Sequence, residues 1–464
     1  MTDKPNCLSG YDIRSPNLDE KDTYKLTSAI SQIIDENTVI VGKDQREGSA
    51  EIFDAGRQGF HDNGVQTISP PAQYGVGSFA TTDMIAYLAK DRDVYGLMFS
   101  PSHMPEGWRG IKPLTPQGRI FNNAEMEDIA IAYENQPGPD VIRTSDYTVD
   151  DTAYTDYLEG LKRSYHDEFS QDLSGQTIVV DPGNAAGVLG LPDALDGLGA
   201  TVKLINENTH IEPQRSLEPK EGELGQLERA VLDYEADLGL ATDGDADRVV
   251  AVNNKGNVMP GSQYLALVGQ NYVRNGEESI ACSVNTSSYV SDVIEEASGS
   301  VHWTPLGAVF TALTTLDNDI SFGGQPNGHM MKTPFVAYDS AAVGGTDLAG
   351  ILAGSNRSLA ERQRELPDYH VRKMNIDVPE KYKEDVIRVT HSRLRQTNDE
   401  ILSTKDGIKS RRGNSEYLVR GSGSEPLIRV YAGSSAAGKE HALANSIKNT
   451  VETAKKLVTK QYDI

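Results

Sequence analysis

Short apolar, β-branched runs alternate along the chain with longer segments whose apolar residues recur at helical spacing. Thr38-Val39-Ile40-Val41 predicts a strand ending in Gly42-Lys43-Asp44, and the amphipathic pattern over residues 50–59 predicts the helix after it. Tyr95-Gly96-Leu97-Met98-Phe99 predicts a buried strand that stops at a Ser/Pro/His/Gly loop over residues 100–110. Thr177-Ile178-Val179-Val180 leads into Asp181-Pro182-Gly183-Asn184, and Leu238-Gly239-Leu240-Ala241 runs into an Asp-rich loop. Strands alternating with helices predict βαβ units, largely parallel pairing and an α/β class. Ligands of such sheets bind beyond the carboxyl ends of the strands, so the loops are where chemistry is expected.

At about 100–200 residues per domain, 464 residues predict three or four domains, or two large ones. The polar stretch 140–155, the segment 253–261 and Leu366-Pro367-Asp368-Tyr369 are expected boundaries, giving domains over residues 1–150, 151–254, 255–368 and 369–464. No exact repeat or low-complexity tract interrupts the pattern.

Composition narrows the partners. Lys and Arg number 44 against 68 Asp and Glu, a net charge of −24. A surface this acidic repels phosphate backbones and anionic lipid, which excludes general nucleic-acid or membrane binding. Mean hydropathy is −0.46, and no apolar stretch approaches the roughly 18 residues of a membrane span. Residues 1–15 lack the apolar centre of a secretory signal, so a cytoplasmic protein is expected. Cys7 and Cys282 are too few for a disulfide framework or a Cys-based zinc site and read as ordinary thiols.

Four loops carry candidate chemistry. Ser100-Pro101-Ser102-His103-Met104-Pro105 follows a buried strand and offers a hydroxyl beside an imidazole. Asp243-Gly244-Asp245-Ala246-Asp247-Arg248 places carboxylates at alternate positions, a hard-oxygen set suited to Mg²⁺. A calcium EF-hand is excluded there, because its required Gly and Glu positions hold Arg248 and Asn254. Phe322-Gly323-Gly324-Gln325-Pro326-Asn327-Gly328-His329 is a hydrogen-bonding loop suited to a sugar. Arg420-Gly421-Ser422-Gly423-Ser424-Glu425-Pro426-Leu427-Ile428-Arg429 combines hydroxyls, backbone N–H groups and two guanidiniums, a cradle for phosphate, without the Gly-Lys-Ser/Thr of a Walker loop.

Together and in this order the loops resemble those of the α-D-phosphohexomutase family. That family carries T-x-S-H-N-P, D-G-D-x-D-R, G-E-x-S-G-H and R-x-S-G-T-E-P-x-x-R. Here they read S-P-S-H-M-P, D-G-D-A-D-R, G-Q-P-N-G-H and R-G-S-G-S-E-P-L-I-R. Tyr11-Asp12-Ile13-Arg14 and Gly42-Lys43-Asp44-Gln45-Arg46 resemble two further family motifs, so the likeness runs from residue 11 to residue 431.

The resemblance implies three related mixed α/β domains plus a smaller C-terminal α+β domain around a central cleft. It implies interconversion of hexose 1-phosphate and hexose 6-phosphate, of the phosphomannomutase/phosphoglucomutase type, through a phosphoserine and a sugar 1,6-bisphosphate that also serves as activator. Ser102 is the implied phosphoserine, and Asp243, Asp245 and Asp247, with Ser102, the implied ligands of one Mg²⁺. Lys112, Arg14 and His329 are implied at phosphoryl and proton transfer. His103, Arg248, Gln325, Asn327, Arg420, Ser422, Gly423, Ser424 and Arg429 are the implied sugar-phosphate contacts.

Departures cluster in the third domain, where Gln325 replaces Glu, Asn327 replaces Ser and Ala308 stands where some members have His. Met104 replaces Asn in the nucleophile loop. They leave phosphoglucosamine mutase or phosphopentomutase as alternatives, with a sugar-phosphate phosphatase or a non-catalytic sugar-phosphate sensor behind them.

Overall fold

Four separate β-sheets organise the chain in a computed structural model, which describes residues 8–9, 12–143, 146–423 and 425–462. The first sheet runs Leu8–Ser9, Asp12–Ser15, Arg109–Leu114, Tyr95–Phe99, Thr38–Lys43, Gln66–Ser69, Thr148–Val149 in spatial order. The second runs Val249–Asn253, Leu238–Thr242, Thr177–Asp181, Thr201–Leu204. The third runs Ser300–Thr304, Ser279–Ser283, Phe322–Gly324, Met330–Lys332, Val336–Asp339. The fourth, wholly antiparallel, runs His370–Asp377, Leu427–Ser434, Ser415–Gly421, Ile408–Arg412, Glu400–Ser403, with helices Glu380–Leu394 and Lys439–Tyr462 against it. The class is three mixed α/β domains followed by a sheet-rich α+β domain.

The pairing corrects one expectation. Each of the first three sheets has parallel strands, such as Thr38–Lys43 beside Tyr95–Phe99, yet each candidate loop joins two adjacent antiparallel strands. The loop after Tyr95–Phe99 returns as Arg109–Leu114, that after Leu238–Thr242 as Val249–Asn253, and that after Phe322–Gly324 as Met330–Lys332. The loop after Ser415–Gly421 returns as Leu427–Ser434. A parallel crossover needs a dozen or more residues, usually a helix, so connections this short turn straight back.

The strands form where β-branched and apolar residues run together. Val39, Ile40 and Val41 are fully buried, and so are Leu97, Met98 and Phe99 beside them. Apolar residues of the first three sheets share one core: Ile40 and Met98, Ile178 and Leu240, Ile280 and Phe322 belong to it. Helix Ala341–Ala353 is buried from Ala341 to Leu352, as expected of a helix apolar on every side. Gly345 on it faces Leu191 and Leu240 of the second domain so closely that a Cβ would lie 2.6 Å from the Leu191 side chain. The fourth domain has its own core, which includes Ile376, Val386, Tyr417, Val430 and Ile447. Cys282 is buried, and burial pushes its thiol up to about 12. Cys7 and Tyr11 lie outside the described residues. Among the described residues no helix is long and apolar enough to cross a membrane.

Candidate active site

The Tyr95–Phe99 strand delivers the first loop. The Ser100 hydroxyl donates to Asp44 Oδ2 (2.7 Å) and accepts the Ser102 N–H (2.9 Å). Ser102 adopts the left-handed φ of 58°, a conformation that costs an L-residue about 1–2 kcal/mol. That bend holds its buried hydroxyl 3.1 Å from His103 Nδ1 and donating to Asp243 Oδ2 at 3.3 Å. The Ser102 carbonyl presses on the acidic loop at Gly244, where a Cβ would lie 2.4 Å from the oxygen. Burial first, then the charges of Arg248 and Arg14, drive the His103 imidazole down to about 3, so it is neutral at pH 7.

The acidic loop turns through Ala246, at a φ of 60°, and its three carboxylates converge. Asp243, Asp245 and Asp247 are all buried, with one oxygen from each within 4.8 Å of the others. Asp243 Oδ1 accepts the backbone N–H groups of Asp247 (3.0 Å) and Arg248 (3.2 Å). Asp245 Oδ2 accepts the Thr82 hydroxyl and the Lys112 ammonium. Asp247 Oδ2 accepts Lys112 Nζ (2.8 Å) and the Tyr338 hydroxyl (3.4 Å). Asp245 Oδ1 and Asp247 Oδ1 are left buried with no hydrogen-bond partner.

Two orphaned carboxylate oxygens beside Asp243 fit a hard divalent cation, since buried acceptors are seldom left unsatisfied. Burial, reinforced by Asp247 and Asp245, pushes the Asp243 carboxyl well above the ordinary range. At Asp247 burial acts the same way but is outweighed by Lys112, His329 and Arg248, which hold it well below. Burial would lower Lys112, and Asp245 and Asp247 more than reverse that, so it stays charged.

Arg248 ties the second domain to the third. Its Nε donates to His329 Nε2 (3.0 Å), its Nη1 to Glu218 (2.9 Å), and the Val249 N–H to the Gly328 carbonyl (3.0 Å). The other ring nitrogen, Nδ1, stands 3.0 Å from Asp339 Oδ2 and 3.7 Å from Asp247 Oδ1. Gln325 is buried, its backbone closing the turn to His329 and its side-chain Nε2 without a partner. Asn327 is exposed at the tip of that turn. Arg14 lies opposite Gly110 in the first sheet, near enough for its charge to act on His103 and Lys112.

The fourth loop forms a second group. Arg420 and Arg429 are direct cross-strand partners, and each guanidinium already meets one carboxylate: Asp406 (2.9 Å) and Glu425 (2.5 Å). Asp406 Oδ2 also accepts the Leu306 N–H of the third domain (3.2 Å). Ser422 is buried and its carbonyl accepts Lys383 Nζ (2.7 Å), while Gly423 is exposed. Ser424 lies outside the described residues.

The structure therefore brings Ser102, His103, Lys112, Asp243, Asp245, Asp247, Arg248 and His329 into one network of contacts. Arg14 and Gln325 border it, and Arg420, Ser422, Gly423 and Arg429 form a separate group on the loop of the fourth domain. Five participants escaped the sequence reading: Thr82, Glu218, Tyr338, Asp339 and Lys383. Thr81 is the N-cap of helix Thr82–Arg92, and a Thr-Thr-Asp run of that kind signals a helix start, not a contact with the acidic loop. Tyr338 and Asp339 close a strand and carried no local signal.

Comparison with known proteins gives three family-model matches. The phosphoglucomutase/phosphomannomutase alpha/beta/alpha domains I, II and III match residues 9–137, 153–256 and 260–369. The "Probable phosphoglucosamine mutase" of Methanopyrus kandleri is 31% identical over 409 residues, 87% of each chain. The phosphoglucomutase/phosphomannomutase of Thermococcus kodakarensis is 29% identical over 408 residues, 85% of each chain. The structure of a phosphoglucomutase/phosphomannomutase family protein from Burkholderia thailandensis covers 97% of each chain with a TM-score of 0.81 at 17% identity, a likeness of fold.

Proposed function

The chain belongs to the α-D-phosphohexomutase family, and on that premise we propose that it interconverts hexose 1-phosphate and hexose 6-phosphate through a phosphoserine at Ser102. Members of this family are isomerases that act as intramolecular phosphotransferases. The observation that carries the reading is the Ser102 hydroxyl hydrogen-bonded to Asp243 inside a buried acidic cluster that also grips Lys112.

The residues divide the work. Ser102 gives its phosphoryl group to one hydroxyl of the sugar and later receives the phosphoryl group from the other end. Lys112, a charged ammonium beside Asp245 and Asp247, is placed to neutralise the transferring group. Asp243, Asp245 and Asp247 would hold Mg²⁺, which when bound would supply further neutralisation of developing charge. His329 and Arg14 are assigned to the proton that leaves the attacking hydroxyl. Arg420, Arg429, Ser422, Gly423 and Ser424 hold the phosphate that is not reacting, so the bisphosphate turns end for end between the two transfers. The rest of the assignment, His103, Arg248, Gln325 and Asn327, contacts the sugar phosphate.

Tyr11-Asp12-Ile13-Arg14 favours a neutral sugar of the glucose or mannose type, and Gln325 in place of the family's Glu weakens that choice. Its unpartnered amide Nε2 can donate to a sugar hydroxyl, while its Oε1 keeps the capacity to accept, so the side chain does not by itself exclude an ammonium at C2. A second reading, glucosamine phosphate, is supported by the name of the Methanopyrus kandleri relative. A panel of glucose, mannose, glucosamine and ribose 1-phosphates, with Mg²⁺ and a trace of the matching bisphosphate, separates them. Faster turnover of glucose or mannose is expected, and no isomerisation of any member would overturn the mutase reading. Intact mass is expected to show a phosphoryl adduct that disappears in Ser102→Ala.

A further inference from the structure

The first turn of helix Thr82–Arg92 touches all three α/β domains. Asp83 is buried there, and its carboxylate accepts three hydroxyls: Thr81 beside it, Tyr157 on helix Ala153–Glu168 (2.8 Å), and Ser340, the N-cap of helix Ala341–Ala353. Next to Asp83, the Thr82 hydroxyl donates to Asp245 Oδ2 and the Thr82 N–H to the Asp245 carbonyl (3.1 Å). The Ala341 N–H donates to the neighbouring Ala246 carbonyl (3.0 Å). Two helix starts from two domains thus grip the acidic loop from outside, and Asp83 ties them together.

A carboxylate torsion is broad and two-fold, so an unconstrained Asp exchanges its two oxygens. Thr82 and Lys112 both engage Asp245 Oδ2, which leaves Oδ1 as the buried, unpartnered oxygen. We propose that Thr82 is a positioning residue for the phosphoryl-transfer centre, fixing which oxygen of Asp245 is offered to a divalent cation, and that Asp83 locks Thr82 in place from the three-domain junction. The inference rests on the phosphohexomutase reading of the acidic loop.

Thr82→Val keeps the shape and removes the donor; Thr82→Ser restores a donor. Mn²⁺ alone, added to metal-stripped full-length protein and followed by the spectroscopic signal of free Mn²⁺, reads the site without turnover. Thr82→Val is expected to weaken Mn²⁺ binding about tenfold, with the KM for sugar 1-phosphate within about twofold of the parent and with Thr82→Ser recovering most of the loss. Ser340→Ala, which removes one of the three donors to Asp83, is expected to weaken Mn²⁺ about threefold, and it serves as the test should Thr82→Val not fold. Unchanged Mn²⁺ affinity in both variants, or Thr82→Ser no better than Thr82→Val, would overturn the proposal. A parent protein that binds no Mn²⁺ would instead remove the metal-site reading on which it stands.

Discussion

Lys112 is the residue on which the site's charge balance turns. One ammonium meets two of the three clustered carboxylates, all of them out of solvent. Replacing it with Met keeps the bulk and removes the donor. Removing one preorganised donor from a charge-developing site costs about 10²–10³ in kcat, and Lys112→Met is expected to show a loss of that size in steady-state assays, with a much smaller change in KM. His103 stands in contrast. It touches Ser102 but is neutral, because burial and two nearby guanidiniums oppose its protonation. It can orient the hydroxyl by a hydrogen bond and contributes no charge to it.

At the scale of elements, each candidate loop is the closed end of an antiparallel pair, which fixes both of its feet to one sheet. Where two such loops meet there is no slack. Gly244→Ala would set a methyl group against the Ser102 carbonyl, a backbone atom that can yield only if the nucleophile loop shifts. We expect kcat to fall at least tenfold, at about 1–3 kcal/mol of stability, by parallel assays of turnover and denaturant unfolding.

This explains what the sequence disclosed. Ser102, the three aspartates and Arg248 sit in compact loops after apolar runs, and Thr38-Val39-Ile40-Val41 and Tyr95-Gly96-Leu97-Met98-Phe99 are strands as expected. Thr82, Glu218, Tyr338 and Asp339 reach the same centre from other elements, more than 20 residues away in sequence from the groups they touch or lodged in a strand end, and only tertiary packing brings them in. The expectation of mainly parallel pairing failed at the loops for the same reason: a length of connection, not an apolar pattern, decides whether a strand turns back.

At the scale of the molecule, the first three domains share a core and the fourth does not. The junction of the three also carries a pH signature. Burial raises Asp83 from 3.8 to about 6, although its hydroxyl donors oppose the shift. Between those values the folded protein keeps a proton that the unfolded chain has released. Stability from this group is therefore complete below about 3.8 and is lost as pH rises through about 6. Relative to Asp83→Asn, the parent is expected to lose about 2 kcal/mol of unfolding free energy from about pH 4 to about pH 6.5, measured by denaturant titration at each pH. A net charge of −24 repels anions, so the sugar phosphates proposed as substrates would have to be attracted by the cations of the candidate site, Arg14, Lys112, Arg248, Arg420 and Arg429.

The facing pair Arg420 and Arg429 adds a consequence of its own. Like charges directly opposite on neighbouring strands weaken a sheet, and here Asp406 beside one guanidinium and Glu425 beside the other counter that repulsion. A phosphate held between them, the role proposed for this loop, would then stabilise the fourth domain as well as being bound by it. By mass action, an anion bound there in excess over its dissociation constant would raise the folding free energy of that domain, so ligand concentration and domain stability would be thermodynamically linked.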